Sequence, residues 1–426
     1  MHVLRRWIPK ISIFAMMGLG ALLCSFSVAW GDDAAVLPKG TFQFLSDNRF
    51  FLEVTERYDK DGNKEPWATD FNTVINQNVF PALSAFSGAP FSIPAPTVGL
   101  TNTSMKWNFV QSLYQLAYGL TDQITLGVRI PWIWAQNKVK FSFDSSGADV
   151  NIGINPAFIN PGTNPLGFAP LVVPGTTRVD TVAAQNALKT LGFKQLKDFE
   201  RSGIQDIELG ARYQYYKSEY LRLAVTGGAR FPTGRKDDPE NLADWGLGDG
   251  AYALLIRLNQ DFVVQPDSPL KSLGFPVPGS FFLNTSFRYD YFVPDKERLR
   301  VTSINDPLGG EFDYVNRKIG DIFQAEITPK LGIWKGFTLF GTYRFAHKFK
   351  DDYSGDKNLP YGDLAIGTNY DEHVYIVGLS FTTLPWVVEK TFPVPLVVSV
   401  SYRDRFAADN FLNVSEYIGL SLAAYF

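Results

Sequence analysis

The chain has 426 residues, and 15% of them are aromatic. Its formal net charge of −3 excludes the strong basic excess of nucleic-acid-binding proteins. Its mean hydropathy of −0.06 is too low for a bundle of transmembrane helices. A membrane β-barrel reconciles this value with the aromatic content, because its strands are apolar on one face only. No Ser-rich or Pro-rich linker divides the chain, so we expect one large domain.

The first residues have the layout of a secretory signal peptide. A positively charged start is followed by an apolar run over 11–28 and then by small residues. Cleavage after Ala29 and cleavage after Gly31 both fit this pattern. We therefore expect 1–31 to be a cleaved leader and 32–426 to be the barrel. An uncleaved anchor is the alternative, because the apolar run is close in length to a membrane-spanning helix.

Beyond the leader, apolar and polar side chains alternate as they do in membrane-spanning strands. In 204–215, Leu209 and Tyr213 belong to an apolar face, whereas Glu208 and Arg212 belong to a polar one. No remaining stretch is apolar enough over 18 residues to predict a spanning helix. Strands are therefore the predicted means of crossing the membrane.

About twelve segments share this period. They span about 40–58, 104–118, 124–139, 204–215, 221–231, 248–262, 279–293, 320–333, 337–349, 373–384, 396–406 and 413–426. Short turns alternate with long connections, and an even number of strands returns both termini to the periplasm. The predicted fold is an all-β transmembrane antiparallel barrel of about 12 strands with long extracellular loops, in the outer membrane of a Gram-negative bacterium. The uncertainty in the count is about two strands.

The longest connections are predicted at 59–103 and 140–203. Four prolines between 81 and 96 remove backbone donors, which argues against a central strand there. Apolar residues between 181 and 196 recur at helical spacing and predict a short helix over the barrel mouth. Two periplasmic links are long enough to hide short elements, at 263–278 and 385–395.

The last strand ends on an aromatic residue, Phe426, after alternating outward Ile418, Leu420 and Leu422. A terminal aromatic on such a strand resembles the signal by which the outer-membrane assembly machinery recognises its clients. We therefore predict that Phe426 is an assembly signal that faces lipid at the periplasmic end. The barrel assembly machinery and outer-membrane lipid are then expected partners. An edge strand of a soluble sheet is the alternative.

Charged residues recur on the polar faces of the predicted strands. The candidates for lining the lumen are Arg129, Asp206, Glu208, Arg212, Arg222, Arg230, Arg288, Glu326, Arg344 and Arg403. One interpretation is a cationic lumen that guides anionic or aromatic solutes, because arginine offers both charge and a flat surface. The other is that the arginines pair with carboxylates, including Asp290, and fill the barrel. Both interpretations remain open at the level of the sequence.

No pattern in the sequence predicts a cofactor, a metal centre or a catalytic site. The segment 59–63 has a faint likeness to a calcium loop but lacks the later glutamate. After the leader only His347 and His373 remain, and the single cysteine, Cys24, lies in the leader. No Gly-x-Ser-x-Gly motif occurs. We therefore expect no enzyme activity and no cofactor.

Five short segments carry a family resemblance. They read LPKG at 37–40, YDKDG at 58–62, GIQDIELG at 203–210, RFPTG at 230–234 and GLGDG at 246–250. Together and in this order they resemble the outer-membrane proteins associated with the meta-cleavage pathway of phenol degradation. The resemblance implies a barrel transporter for small aromatic or hydrophobic solutes and supplies no catalytic residues.

The predicted function is therefore passive uptake of a small-molecule solute through an outer-membrane channel. A structural or sheath-type barrel that holds a partner protein is the first alternative, and an outer-membrane enzyme is the second. Nucleic acid is not an expected partner.

Overall fold

Twelve antiparallel strands follow the period-two segments of the sequence. The computed structural model describes residues 33–146, 148, 152–265, 277–303, 306–410 and 412–426. The barrel strands are β1 (Phe42–Phe51), β2 (Thr97–Thr121), β3 (Ile124–Asp144), β4 (Ile207–Lys217), β5 (Leu221–Phe231), β6 (Ala253–Val264), β7 (Phe281–Phe292), β8 (Ile322–Trp334), β9 (Phe337–Lys348), β10 (Tyr370–Thr382), β11 (Leu396–Ala408) and β12 (Glu416–Tyr425). Because β12 pairs with β1 and each strand pairs with the next, the sheet closes into a barrel. The predicted fold class is confirmed.

The two ends of the barrel differ in the length of their connections. Short turns at 122–123, 218–220 and 335–336 lie at the same end as the described termini, and the long connections lie at the other. In bacterial barrels the end with short turns is periplasmic. The predicted leader 1–31 and most of the link 263–278 lie outside the described residues. The other long link contains a short helix, α2 (Leu384–Val388).

The alternation of side chains separates a lipid face from a lumen face. Leu209 and Tyr213 are 47% and 44% exposed on the outside, whereas Glu208 is 6% exposed inside. Arg222 and Arg230 point inward and are buried. Placing either arginine in lipid would cost about 2 to 4 kcal/mol near the midplane, which fixes the register of β5. No helix of the described residues is long and apolar enough to cross a membrane.

The first strand is shorter than the sequence predicts. It ends at Phe51 rather than near Tyr58, and Glu56–Tyr58 forms a separate hairpin with Lys64–Pro66. If β1 continued, Val54 and Tyr58 would face lipid, because they are an even number of residues from Phe50, which faces outward. Instead both are buried in the core of the loops, at 1% and 2% exposure, so the chain turns into the barrel mouth.

The fourth wall strand is interrupted beside a proline. The predicted segment 204–215 divides into Phe199–Ile204 and β4, and both parts pair with β3. The N–H of Gln205 donates to the carbonyl of Pro131 at 2.8 Å, but Pro131 has no N–H to complete the ladder. The interruption turns both Gln205 and Asp206 into the interior, where each is almost fully buried.

The long connections contain small elements. Their strands are Glu56–Tyr58, Lys64–Pro66, Val74–Asn76, Ile152–Ile154, Phe168–Pro170, Thr177–Arg178, Phe199–Ile204, Asp295–Ser303, Asp306–Lys318 and Asp352–Ser354, and their 3-10 helices are Thr69–Phe71, Pro81–Phe86, Pro156–Phe158 and Tyr361–Ala365. The helix predicted within 181–196 is confirmed as α1 (Thr181–Thr190), where Asp180 accepts a bond from the N–H of Ala183 at 2.7 Å. No strand occurs in 77–96, as the prolines predict.

Aromatic side chains from the wall and the loops form one core at the external mouth. Trp107 of β2 is fully buried, and its ring lies 5.6 Å from that of Trp67 and 5.2 Å from that of Trp245. It also stacks on Phe109 of the same strand at 5.5 Å. The loops therefore fill the external part of the lumen by apolar packing.

Truncation of Trp107 tests this core. Trp107→Ala is expected to lower the free energy of unfolding by about 3 to 5 kcal/mol, because a fully buried ring and its partners lose contact. Urea unfolding of the refolded protein in lipid vesicles measures the loss. Tyr314→Ala is the control, since Tyr314 lies in a hairpin of the external loops and is 69% exposed. Equal losses in both variants would contradict a packed external core.

Candidate functional site

Three of the segments that carry the family resemblance meet at Asp206. One carboxylate oxygen accepts the N–H of Gly234 at 2.9 Å, and the other accepts the N–H of Asp249 at 2.8 Å. A Cβ at Gly248 would lie 2.2 Å from this carboxylate, so glycine is needed for the close approach. Asp206 therefore anchors residues 233–250, which we call the lumen loop, inside the barrel.

The lumen loop is also held by aromatic and ionic contacts. Trp245 packs edge-on against Phe109 at 4.5 Å. Asp244, whose side chain is fully buried, pairs with Arg201 at 2.8 Å and with Arg235 at 2.7 Å. These contacts join the loop to the strand Phe199–Ile204 and to β2. The loop thus closes the external side of the lumen from within.

Two acidic groups of the lumen loop have raised pKa values. Burial, together with the neighbouring charge of Asp244, raises the pKa of Asp237 to about 7. Burial raises the pKa of Asp244 to about 6 despite the charge of Arg235. Both carboxyl groups lie outside the membrane-spanning strands. The charge of the loop therefore changes within the range from mildly acidic to neutral pH.

A layer of ion pairs lines the lumen below the loop. Glu208 accepts from Arg230 at 2.8 Å and from Arg288 at 2.9 Å. Arg230 and Arg288 also both pair with Asp290, and Arg230 reaches Asp249 of the lumen loop at 3.2 Å. All five side chains are buried. The layer links β4, β5 and β7 to the loop, and each of its two arginines pairs with at least two carboxylates.

A second cluster lies on the strands β9 to β11. Glu372 accepts from Arg405 at 2.8 Å and from Arg344 at 3.1 Å, and Arg403 approaches it at 3.7 Å. All four residues are buried. This side of the lumen is thus also filled by arginines that share one carboxylate.

The structure distributes the ten sequence candidates among several environments. Arg129, Glu208, Arg230 and Arg288 lie in or beside the first ion-pair layer, Arg344 and Arg403 lie in the second cluster, Asp206 anchors the loop, and Arg212 and Arg222 line a cavity below the layer. The packing interpretation agrees with the contacts of Arg230 and Arg288.

Glu326 is the tenth candidate. It is buried opposite Arg344 in the register, and neither of its carboxylate oxygens accepts a hydrogen bond from a described residue.

Sequence reasoning missed several inward-facing charged residues. These residues are Asp47, Arg49, Asp261, Lys330, Glu372 and Arg405. The rule that residues two positions apart share one face of a strand would have identified them. Arg403 and Arg405, for example, lie on the same face of β11. Arg49 donates to Asp47 at 2.7 Å and to Gln111 at 3.3 Å, which adds β1 and β2 to the polar interior.

A cavity of about 500 Å³ opens on the periplasmic side of the ion-pair layer. The N-terminal segment enters it. The N–H of Ala34 donates to Asp261 at 2.9 Å, and Gln214 donates to the carbonyl of Ala34 at 2.7 Å. The N–H of Leu37 donates to Thr125 at 2.8 Å. Residues 33–38 therefore occupy part of the periplasmic lumen.

The periplasmic cavity has an excess of positive charge. Its cationic lining residues are Arg129, Arg212, Lys217, Arg222, Arg257, Arg288 and Lys330, and its anionic lining residues are Asp33, Glu208 and Asp261. Glu208 and Arg288 are already paired in the layer, and the rest of the lining still has six cationic residues against two anionic ones. The field in this cavity consequently favours an anion.

A second cavity, of about 100 Å³, lies among the external loops. Phe141 and Phe143 at the end of β3, Phe168 of a loop strand, and Ala184 and Leu188 of α1 contribute to its lining. The lining is apolar except for a few groups at its edge. This cavity can take up hydrophobic surface without breaking polar contacts.

Among the described residues, no group of three or more His, Cys, Asp and Glu side chains is arranged to hold a metal ion.

The fold has a counterpart among solved structures. An outer-membrane channel from Pseudomonas putida F1 superposes with a TM-score of 0.51 at 11% identity, covering 94% of this chain and 100% of that chain. A FadL homologue of Pseudomonas aeruginosa matches with a TM-score of 0.35 at 10% identity, covering 96% and 97%. The toluene transporter TodX of Pseudomonas putida matches with a TM-score of 0.35 at 9% identity, covering 97% and 96%.

This chain has the fold of an outer-membrane channel. The predicted location in the outer membrane of a Gram-negative bacterium is confirmed. No protein-family model matches the sequence, and no curated relative does. The resemblance to the phenol meta-cleavage proteins therefore stays a prediction.

Adding one methyl group at Gly248 tests whether Asp206 anchors the lumen loop. Gly248→Ala is expected to displace the lumen loop and to weaken its closure by about 1 to 3 kcal/mol, because the added Cβ overlaps the Asp206 carboxylate. Hydrogen exchange of 233–250 in the refolded protein measures the loss of protection. Gly227→Ala on the neighbouring strand is the control, because its Cβ meets nothing within 4 Å. Unchanged protection of the loop would show that the anchor is unimportant.

The raised pKa values predict that closure of the lumen loop depends on pH. The pKa of Asp237 is about 7 against an ordinary 3.8, so the closed loop binds more protons than the open one between these values. Closure is then strongest at acidic pH and weakens as the pH rises through 7. A spin label at Glu240→Cys, followed from pH 4.5 to 8, measures loop mobility.

In Asp237→Asn the mobility should change less over this range, because one titrating group is lost. A pH response equal to that of the unsubstituted loop would assign the effect to another group.

Proposed function

We propose that this protein is an outer-membrane channel for the passive uptake of small aromatic or hydrophobic solutes. The observation that carries the proposal is the apolar cavity in the external loops. Hydrophobic solutes gain about 25 cal/mol per Å² of apolar surface removed from water, so such a cavity concentrates them. Its volume of about 100 Å³ is of the same order as an apolar cavity of about 150 Å³ that binds benzene.

The route runs inward from the external cavity. Leu242 of the lumen loop contributes to the cavity wall, and the same loop contacts the ion-pair layer through Asp249. Movement of this loop would open a path along the wall to the periplasmic cavity. The fold shared with the Pseudomonas putida F1 channel supports a transport role. The resemblance to proteins of phenol degradation supports aromatic solutes.

The filled lumen favours a second candidate, the structural or sheath-type barrel. Buried ion pairs from β4, β5, β7, β9, β10 and β11 occupy the interior, as expected for a barrel that only needs internal packing. Single-channel recordings and solute flux separate the two. A barrel that admits no ion and no solute across a range of voltages would support the sheath.

Three further predictions from the sequence are part of this proposal. They are the absence of enzyme activity, the cleavage of 1–31, and the recognition of Phe426 by the assembly machinery. Phe426 is 73% exposed, and its N–H and carbonyl bond to Phe42 at 2.9 Å, so it closes the barrel between β12 and β1. This position agrees with a lipid-facing residue at the periplasmic end.

Filling the external cavity tests the proposed route. Ala184→Trp is expected to reduce toluene flux into proteoliposomes several-fold, because the indole occupies the space of the solute. Val182→Trp on the same helix is the control, since Val182 is 66% exposed. Flux of toluene is followed by an enclosed solvatochromic dye. Equal flux through both variants would remove the external cavity from the route.

A further inference from the structure

We propose that the periplasmic cavity is a binding site for a small aromatic carboxylate, and that Arg222 is the residue that holds its carboxylate group. The inference deepens the proposed function by naming a solute class, and it rests on the channel only for the route by which the ligand arrives. It goes beyond general anion selectivity because one arginine and one aromatic ring define the site.

Arg222 is a buried arginine for which no described residue serves as an acceptor. Its side chain projects from β5 into the cavity and is 7% exposed. Within the part of the chain that the structure describes, its guanidinium has no hydrogen-bond acceptor and no ion-pair partner, and its Nε is shielded from solvent. Asp261 lies directly opposite in the register. The Oδ1 of Asp261, however, already accepts from Ala34 at 2.9 Å and from Asn284 at 2.6 Å.

An arginine in this state has donors available for an acceptor that enters the cavity. A guanidinium has five N–H donors and is charged at every accessible pH. Leaving such donors buried and unsatisfied costs free energy that a bound anion would recover. A carboxylate matches the guanidinium best, because two parallel N–H···O bonds form in one plane.

The surroundings of Arg222 favour an aromatic body on the carboxylate. The guanidinium lies 6.0 Å from the centroid of the Phe282 ring, which is buried and lines the same cavity. Leu45, Leu255 and Val36 add apolar surface to the lining. A flat ring can pack against Phe282 while its carboxylate reaches Arg222. The cavity volume of about 500 Å³ is ample for a ligand with one ring.

The protein already places one of its own carboxylates in this cavity. Asp33 of the N-terminal segment approaches Arg212 at 3.5 Å, and Arg212 also donates to the carbonyl of Ala35 at 3.3 Å. The cationic lining therefore accepts a carboxylate in the cavity that Arg222 also lines. Seven cationic lining residues against three anionic ones leave charge for a second carboxylate.

Calorimetric titration of the full-length barrel in detergent tests the site with benzoate and with benzyl alcohol. The two probes share the ring and differ in charge. Benzoate is expected to bind, and benzyl alcohol at least tenfold more weakly. Arg222→Gln should weaken benzoate binding by about 10-fold to 100-fold, the range for loss of charge-assisted hydrogen bonds. It should leave the weak binding of benzyl alcohol unchanged.

Two further variants make the test specific. Arg222→Lys keeps the charge but not the planar donor pair, so its affinity for benzoate should fall between those of the parent and Arg222→Gln. Arg298→Gln is the matched control, because Arg298 lies over Phe312 in the external hairpin and not in the cavity. A heat-modifiable gel shift reports folding of each barrel. If Arg222→Gln does not fold, the parent is compared with Arg222→Lys instead.

The outcomes separate this site from the channel. Equal affinity of benzoate for the parent and for folded Arg222 variants would overturn the site, as would equal binding of benzoate and benzyl alcohol. Normal toluene flux in those variants would then leave the channel standing. Conversely, Arg222-dependent benzoate binding in a protein that passes no solute would support the site and contradict the channel.

Discussion

The strict alternation of side chains in a closed barrel is the constraint on which the rest of the structure depends. A strand has two faces, and a charged residue on the lipid face costs several kcal/mol near the midplane. Arg222 and Arg230 therefore point inward, and every inward position of the same strands follows them. The interior becomes crowded with charge, so carboxylates such as Glu208 and Glu372 are needed to balance the arginines.

A local defect in this regular wall allows the lumen to be closed. Pro131 cannot donate to the neighbouring strand, and the ladder breaks at Gln205 and Asp206. The break turns Asp206 inward, where it binds two N–H groups of residues 234 and 249. One missing backbone donor in the wall thus provides the anchor of a loop that an uninterrupted strand could not hold.

The sequence predicts the regular parts of this protein well because they depend on local period. All twelve barrel strands and the helix α1 follow from alternation and helical spacing. The end of β1 was not predictable, because Val54 and Tyr58 keep the strand pattern while packing against distant loops. The lumen candidates were identified by parity, but their partners depend on contacts such as Arg230 with Asp249 and Asp290, which no spacing encodes.

On the proposed uptake route, the order of environments along the barrel limits which solutes would pass. The external cavity is apolar, the middle is a layer of paired charges, and the periplasmic cavity is cationic with an aromatic wall. A purely hydrophobic solute would gain little from the last environment, and a simple inorganic anion would gain little from the first. A molecule with an aromatic ring and a carboxylate gains in both, because its ring suits the entrance and its charge suits the exit. The paired middle layer then presents the barrier, since its arginines already have acceptors and offer the solute no net attraction.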